Sequence, residues 1–378
     1  MLGEQQVELG DVASPRRWLG TADPLLTLLL VWVALLPIQF RTEALGGDRF
    51  APSDFVILLA PLIAAGRLTI KRNTWSVWHT LLVALMPFGL IVAGFLEGSI
   101  TRWAIVNKTL GLYLLFLAYV LVTATVRSWS TVLQVTRLLV LSTTIVNIFA
   151  IGAYLSGWQT NLVNDPELDR LTGMLIDPNA YGGLLVVVLA LMIPSALRGK
   201  RLLPRAVHYV AWITLPFGVI LTQSRSAWIA LAVMFLALGV ASPRRATRAL
   251  GAILVVTAVI AIAAGAENRA SFVERSDRPQ TIDSRLAEAQ EGVEAFAESP
   301  VIGIGLGTYY ERHGQIVHLT ALWVLADLGA VGFVILVGFV VVITAWGIRL
   351  LRTSPRDSGE WDLALGLLLA QAAMIGLS

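Results

Sequence analysis

Long apolar blocks separated by short polar loops dominate the 378-residue chain. Such blocks predict membrane spans, because a helix needs about 20 apolar residues to cross the hydrocarbon core of a bilayer. The pattern therefore predicts an all-α polytopic membrane protein with about 11–12 transmembrane helices. The helical segments that we assign are 24–40, 53–67, 75–96, 104–126, 131–156, 180–197, 206–222, 226–240, 249–265, 318–346 and 361–378.

Three regions follow from this assignment. Residues 1–265 are expected to form a bundle of the first nine spans, residues 266–317 a polar loop, and residues 318–378 the C-terminal spans. The last apolar block reaches Ser378 without a polar flank, so we expect the natural chain to continue. We expect no cleaved signal peptide, because no small-residue cleavage site follows the first apolar block.

An amphipathic helix is predicted inside the loop 266–317, where the chain reads DSRLAEAQEGVEAFAESP from Asp283. Asp283 or Ser284 can cap its start, and Pro300 ends it. This start places Arg285 in the first turn, where a cation opposes the helix dipole. We expect the helix to lie on the membrane or to cover a cavity. Its apolar positions, which recur with helical spacing, are Leu286, Ala289, Val293, Phe296 and Ala297.

Composition and charge narrow the class of protein. The chain is 56% hydrophobic and 14% charged, whereas a typical soluble domain is about 25% charged. Its net charge of +3 does not indicate nucleic-acid binding, because the charges occupy short loops between apolar blocks. The chain has no cysteine, which excludes disulfide and thiolate chemistry.

Basic residues set the expected orientation. They fall in alternate loops, which are cytoplasmic if the N-terminal segment with Arg16 and Arg17 is cytoplasmic. The two longest loops, 157–179 and 266–317, then face the periplasm, and long loops in compact proteins often carry function. The basic clusters are Arg67/Lys71/Arg72, Arg127, Arg198/Lys200/Arg201/Arg205, Arg244/Arg245/Arg248 and Arg349/Arg352/Arg356.

Three arginines on the outward side are candidate anion ligands. Arg225 lies in the short turn TQSRSAW, where it either snorkels to lipid headgroups or binds phosphate through its guanidinium fork. Arg170 precedes DPNAYGG, in which Asn179 is the expected N-cap of the next span. For Arg170 and Arg285 the alternatives of a solvated cation and a ligand stay open, with Glu288 or Asp283 as the expected ion-pair partner of a solvated Arg285.

Histidine is the candidate for acid–base chemistry, because its ordinary pKa is near neutrality. His318 lies at the mouth of a predicted span, where an ionisable group is costly and therefore a functional candidate. His313, flanked by charged residues, is expected to be solvated, and His79 and His208 lie near inward ends of spans. No His, Cys or carboxylate cluster has metal-ligand spacing, so we expect no catalytic metal.

Three alternating glycines, Gly303, Gly305 and Gly307, precede His318. They do not form a dinucleotide fingerprint, which needs G-x-G-x-x-G between a strand and a helix. We expect them to permit positive φ angles or close backbone approach.

The order of these motifs resembles the O-antigen ligase / O-antigen polymerase superfamily. An arginine and DPNAYG come first, then SRSAW, an amphipathic helix that opens with arginine, SPVIGIGLGTY, and finally H-x3-L-x4-D-x-G-x2-G. The resemblance covers about residues 170–332. The chain departs from the family pattern where Leu319 replaces the usual asparagine and Asp327 replaces the usual glutamate.

This resemblance implies a GT-C-like, inverting, metal-independent glycosyltransferase of the bacterial inner membrane, with no cofactor and a periplasmic active site. The implied donor is a polyprenyl-pyrophosphate-linked glycan, and in the ligase branch the acceptor is lipid A–core. His318 is then the general base, while Arg225, Arg285 and Arg170 hold the pyrophosphate. The assignment fits the chemistry, because a pyrophosphate leaving group needs charge neutralisation and a sugar hydroxyl needs a proton acceptor.

We favour the ligase, with two alternatives. A polymerase would extend lipid-linked repeat units with the same residues. A transporter or flippase of a lipid-linked anion would use the arginines without a base. It is disfavoured because the internal repeats and mid-span charges of transporters are not evident here.

The orientation gives the first prediction. A single cysteine that replaces Glu291 is expected to react with a membrane-impermeant maleimide from the periplasmic side, because the basic loops are retained in the cytoplasm. A cysteine placed within 198–205 is the control and should react only after the membrane is opened. Reaction of position 291 from the cytoplasmic side alone would reverse the topology.

Overall fold

The computed structural model describes residues 23–41, 49–64, 74–158, 164–165, 170–175, 177–244, 247–248, 250, 279–315 and 319–377. Within these ranges the all-α polytopic fold is confirmed. Six helices are long and apolar enough to cross a membrane, and four further apolar helices are shorter. The predicted span 249–265 lies, apart from Leu250, outside the described residues.

We number the helices of the described residues in chain order. They are α1 Pro24–Leu35, α2 Pro52–Leu58, α3 Ala60–Ala64, α4 Val77–Leu96, a π-helical segment Ala104–Leu110 that continues as α5 Gly111–Thr125, α6 Trp129–Leu155, α7 Pro178–Ala196, α8 Arg205–Leu221, α9 Arg225–Ala241, α10 Pro279–Glu298, α11 Thr308–His313, α12 Thr320–Thr353 and α13 Gly359–Leu377. Four two-residue strands form two antiparallel pairs: β1 Phe40–Arg41 with β2 Arg49–Phe50, and β3 Asn164–Asp165 with β4 Arg170–Leu171.

The start of α10 corrects the sequence-based prediction. The helix begins at Pro279 rather than at Asp283 or Ser284, since proline has the φ angle that the first helical position requires. Arg285 therefore lies beyond the first turn, and the argument that it opposes the helix dipole there is wrong. The predicted span 318–346 also continues further, as α12, to Thr353.

One compact unit comprises residues 1–65, 125–268 and 347–377. Its central element is α7, which packs against α6, α8, α9 and α13. Glycines let two of these helices come close, because a Cβ atom at Gly182 would lie 2.8 Å from the Ala227 Cβ atom on α9. A Cβ atom at Gly183 would lie 2.6 Å from Leu377 on α13.

The second compact unit comprises residues 66–124 and 269–346. Its distinctive element is α12, which is broken at Gly329, where the backbone has φ 64° and ψ −167°. This conformation is open to glycine and strained for other residues. A Cβ atom there would lie 2.5 Å from the Val301 carbonyl, so the preceding loop occupies the break.

The loop replaces the helical hydrogen bonds that the break removes. In an unbroken helix the N–H groups of Ala330 and Val331 would donate to the carbonyls of Ala326 and Asp327. Here those N–H groups donate to Pro300 and Val301. The two vacated carbonyls accept from the N–H groups of Ile304 and Gly305, at 3.0 Å each. All four backbone groups are satisfied by protein, as a membrane environment demands.

The alternating glycines of this loop have the expected roles. Gly303, Gly305 and Gly307 have φ angles of 77°, 106° and 85°. Added Cβ atoms would lie 2.4 Å from the Asp327 backbone, 2.4 Å from Ala93 Cα and 2.7 Å from Ala104 Cβ, respectively. Both expectations, positive φ and close backbone approach, are confirmed.

Substitution of Gly305 tests the importance of this docking. Gly305→Ala is expected to cost about 2–4 kcal/mol of stability, because a left-handed residue is strained and its methyl group meets rigid backbone. Gly314→Ala is the control: its φ is 67° but nothing lies within 4 Å of the new Cβ atom, so strain alone should cost about 1 kcal/mol. Thermal unfolding in detergent measures both, and equal losses would contradict the account.

Candidate active site

The turn between α8 and α9 carries Arg225. Gln223 in this turn has φ 48° and is the one non-glycine residue with positive φ in the described ranges. Ser224 caps α9, since its hydroxyl oxygen accepts from the Ala227 N–H at 3.2 Å. Arg225 is thus the first residue of α9, half-buried, at a helix end where the dipole favours an anion.

Arg170 stabilises this turn through hydrogen bonds to its backbone. Its Nε atom donates to the Thr222 carbonyl at 2.8 Å, and its terminal nitrogen donates to the Gln223 carbonyl at 3.3 Å. The same terminal nitrogen lies 3.3 Å from Asn179 Oδ1, to which it donates. Two of the sequence-predicted residues therefore meet in one unit, with Arg170 bracing the backbone that presents Arg225.

Asn179 has a different role from the one predicted. Asp177 caps α7, because its Oδ1 atom accepts from the N–H groups of Asn179 and Ala180 at 2.7 and 3.2 Å. Pro178 occupies the first helical position, where its missing N–H costs nothing. The Asn179 side chain instead accepts from the Ser224 hydroxyl at 2.8 Å. The DPN and SRS motifs are thereby joined.

Arg285 and His318 belong to segments of the second unit. Arg285 is exposed on α10, and His318 lies outside the described residues. The buried positions of α10 include Glu288, Gly292 and Ala295, while Leu286 is 68% exposed and Val293 is 55% exposed. The packed face of α10 thus includes Glu288, Gly292 and Ala295, whereas Leu286 and Val293 of the predicted apolar stripe are exposed.

Asp327 organises the loop that precedes His318. It is fully buried, and its Oδ2 atom accepts from the Gly307 N–H and the Trp323 Nε1–H, each at 2.8 Å. Its Oδ1 atom accepts from the Tyr309 N–H at 3.3 Å. These bonds tie the start of α11 to the first two turns of α12, between which the His318 segment runs.

A second polar cluster joins α10 to α11. The Tyr309 hydroxyl donates to Glu291 Oε2 at 3.0 Å, and His313 Nδ1 lies 3.2 Å from the same oxygen. Burial and the bond to Glu291 raise the pKa of the Tyr309 phenol, so it remains a donor at neutral pH. The His313 ring stacks on Tyr309 with centroids 4.5 Å apart. His313 is exposed, as expected, and it also makes these contacts with Tyr309 and Glu291.

Comparison with known proteins gives a family match for the part of the chain that contains Arg225 and Asp327. Residues 209–337 match the O-antigen ligase family. The match confirms the resemblance drawn from the motifs. The O-antigen ligase match includes Arg225, the loop 300–307 and Asp327, whereas Arg170 precedes it. No curated protein matched the chain.

Sequence reasoning missed the residues that brace the O-antigen ligase motifs. Ser224 and Asn179 were recognisable as polar residues in the right motifs, but their contact joins segments 45 residues apart. Lys108 was also missed, although a lysine inside an apolar block is a signal in its own right. Within the described ranges, no three His, Asp or Glu side chains cluster as a metal site requires.

Proposed function

We propose that the protein is an O-antigen ligase-type glycosyltransferase. It transfers a glycan from a polyprenyl-pyrophosphate carrier to lipid A–core at the periplasmic face of the bacterial inner membrane, with inversion and without metal or cofactor. The observation that carries the proposal is the strained turn, braced by Arg170, that presents Arg225 within the segment matched to the O-antigen ligase family.

The arginines serve the leaving group. Breaking the glycosidic bond to the carrier leaves its negative charge on the pyrophosphate, and a guanidinium stabilises that charge through paired, charge-assisted hydrogen bonds. Arg225 is the direct ligand, since the α9 N-terminus adds its dipole. Arg170 adds positive charge and fixes the turn, and Arg285, exposed on α10, reaches the donor from the loop region 266–317.

His318 serves the acceptor. Its imidazole takes the proton of the attacking sugar hydroxyl, while that oxygen bonds to the anomeric carbon on the face opposite the pyrophosphate. Attack from the opposite face inverts the anomeric centre. The bonds of Asp327 and the docking of loop 300–307 on α12 support this role, because they connect α11 to α12, the helices that precede and follow His318 in the sequence.

The regions assigned from the sequence fit this scheme. In this scheme the bundle 1–265 binds the membrane-borne donor, and the loop 266–317 faces the periplasm. Membrane lipids surround the exposed apolar side chains of the spans.

A pair of histidine variants tests the base. His318→Ala is expected to lower transfer about 10²–10⁴-fold, the typical contribution of general-base catalysis, and to leave donor binding intact. His313→Ala is the matched control and should be much milder, because it loses only exposed contacts with Glu291 and Tyr309. A transfer assay in which both variants are equally active would refute the histidine mechanism.

Arginine variants test the phosphate role. Arg225→Lys is expected to lower kcat/KM nearly as much as Arg225→Ala, because lysine keeps the charge but loses the planar fork. Arg285→Lys should show the same trend with a smaller loss. Full activity of Arg225→Ala would instead leave this arginine as a headgroup anchor.

Deletion of the gene separates the ligase from its alternatives. The ligase predicts lipid A–core without attached glycan and an accumulation of lipid-linked polymer on the periplasmic side. Lipid A–core that carries a single repeat unit would identify a polymerase. Accumulation of lipid-linked units on the cytoplasmic side would identify a flippase.

A further inference from the structure

Lys108 is a cation that the proposed mechanism does not use. It lies in the π-helical segment Ala104–Leu110, a geometry that occurs often at functional sites. The chain has three lysines, Lys71, Lys108 and Lys200, and Lys108 is the one inside an apolar helical block. A charged side chain in such a block is costly and calls for a functional explanation.

Aromatic rings hold the Lys108 side chain in place. Its Nζ atom lies 3.7 Å from the centroid of Trp323 and 4.8 Å from that of Trp103, which is cation–π geometry. Trp103 in turn stacks on Tyr310 with centroids 4.4 Å apart and planes inclined by 10°. All four side chains are half-buried, so they pack against their neighbours and are still partly accessible to a ligand.

The nearby carboxylate does not take up the ammonium group. Asp327 attracts Lys108 electrostatically, but its oxygens already accept from two backbone N–H groups and from Trp323 Nε1–H. In the part of the chain that the structure describes, no oxygen is hydrogen-bonded to Lys108 Nζ. The aromatic rings attract the ammonium group electrostatically, but they offer no lone pair that could accept a hydrogen bond from its three N–H groups. The ammonium therefore keeps its capacity to bind an anion.

We propose that Lys108, Trp103, Tyr310 and Trp323 form a subsite for a phosphorylated sugar of a membrane-anchored substrate. The ammonium binds the phosphate as a compact point charge, and the Trp103–Tyr310 stack offers an apolar face to the sugar ring. The inference rests on the proposed function for the identity of the substrates. Two of them carry this chemistry: the donor, through its pyrophosphate, and the acceptor, through the phosphates of lipid A–core.

The π-helical segment explains why the subsite is rigid. The Thr109 hydroxyl donates to the Ala104 carbonyl at 3.1 Å, and Thr101 Oγ1 accepts from the Ala104 N–H at 3.1 Å. A Cβ atom at Gly307 would lie 2.7 Å from Ala104 Cβ, so loop 300–307 packs directly on this segment. Loop 300–307 thereby contacts both α12 and the segment that carries Lys108.

Lysine acetylation of the purified full-length wild-type protein tests the subsite directly. With three lysines, mass spectrometry can follow each one, and Lys200 serves as the internal control. Farnesyl pyrophosphate should slow acetylation of Lys108 if the donor occupies the subsite, and monophosphoryl lipid A should do so if the acceptor does. Failure of Lys108 to react without ligand, or reaction unaffected by either ligand, overturns the proposal.

Kinetics of variants give a second, independent test. Lys108→Gln should raise the KM of the protecting substrate about tenfold, the scale of one charged hydrogen bond, with little change in kcat, whereas Lys108→Arg should retain most of the affinity. Lys200→Gln should leave both constants unchanged. An unchanged KM for Lys108→Gln refutes the subsite. If the wild-type protein transfers no glycan, the proposed function fails while the acetylation result still decides the role of Lys108.

Discussion

The hydrogen-bond exchange between the loop 300–307 and the break in α12 is the constraint on which the second unit depends. A broken helix inside an apolar environment leaves two carbonyls and two N–H groups without partners, and each unsatisfied group costs several kcal/mol in a bilayer. The loop satisfies all four. Gly303, Gly305 and Gly329 suit these positions for two reasons: a Cβ atom would clash there, and their positive φ angles are rarely adopted by other residues.

The consequences of this docking extend along both partners. The loop brings the N–H groups of Gly307 and Tyr309 to Asp327, which satisfies a buried carboxylate with three neutral donors. It also packs Gly307 on Ala104, at the start of the π-helical segment that carries Lys108. In the first unit a separate device, the Arg170–Asn179–Ser224 cluster, fixes the turn that presents Arg225. Each unit thus positions a cationic side chain, Arg225 in the first unit and Lys108 in the second. In both cases polar contacts hold the backbone that carries it.

Much of the helical architecture was predictable, because the length of an apolar block reports directly on a membrane span. The order of the motifs also predicted a resemblance to the O-antigen ligase / O-antigen polymerase superfamily, and residues 209–337 match the O-antigen ligase family. Boundaries were harder: Asp177 rather than Asn179 caps α7, because proline at the next position fixes where the helix begins. The start of α10 was misplaced for a similar reason, since Pro279 precedes the charged residues that suggested a cap.

The periodicity of the sequence did not predict the contacts between residues that are distant along the chain. Leu286 and Val293 of the predicted apolar stripe of α10 are exposed, whereas Glu288, Gly292 and Ala295 are buried. His313 is exposed, as its charged neighbours predicted, but its contacts with Tyr309 and Glu291 could not be read from the sequence. The environment of Lys108 depends on Trp103, Tyr310 and Trp323, which come together only in the folded chain.

Transfer by the purified protein tests the central claim most directly. The protein would be supplied with a defined polyprenyl-pyrophosphate-linked glycan and lipid A–core in the presence of a metal chelator, and the anomeric configuration of the product read by NMR. The account predicts that the glycan is joined to lipid A–core with an inverted anomeric centre despite the chelator. Transfer with retained configuration, transfer abolished by the chelator, or no transfer to lipid A–core would contradict it.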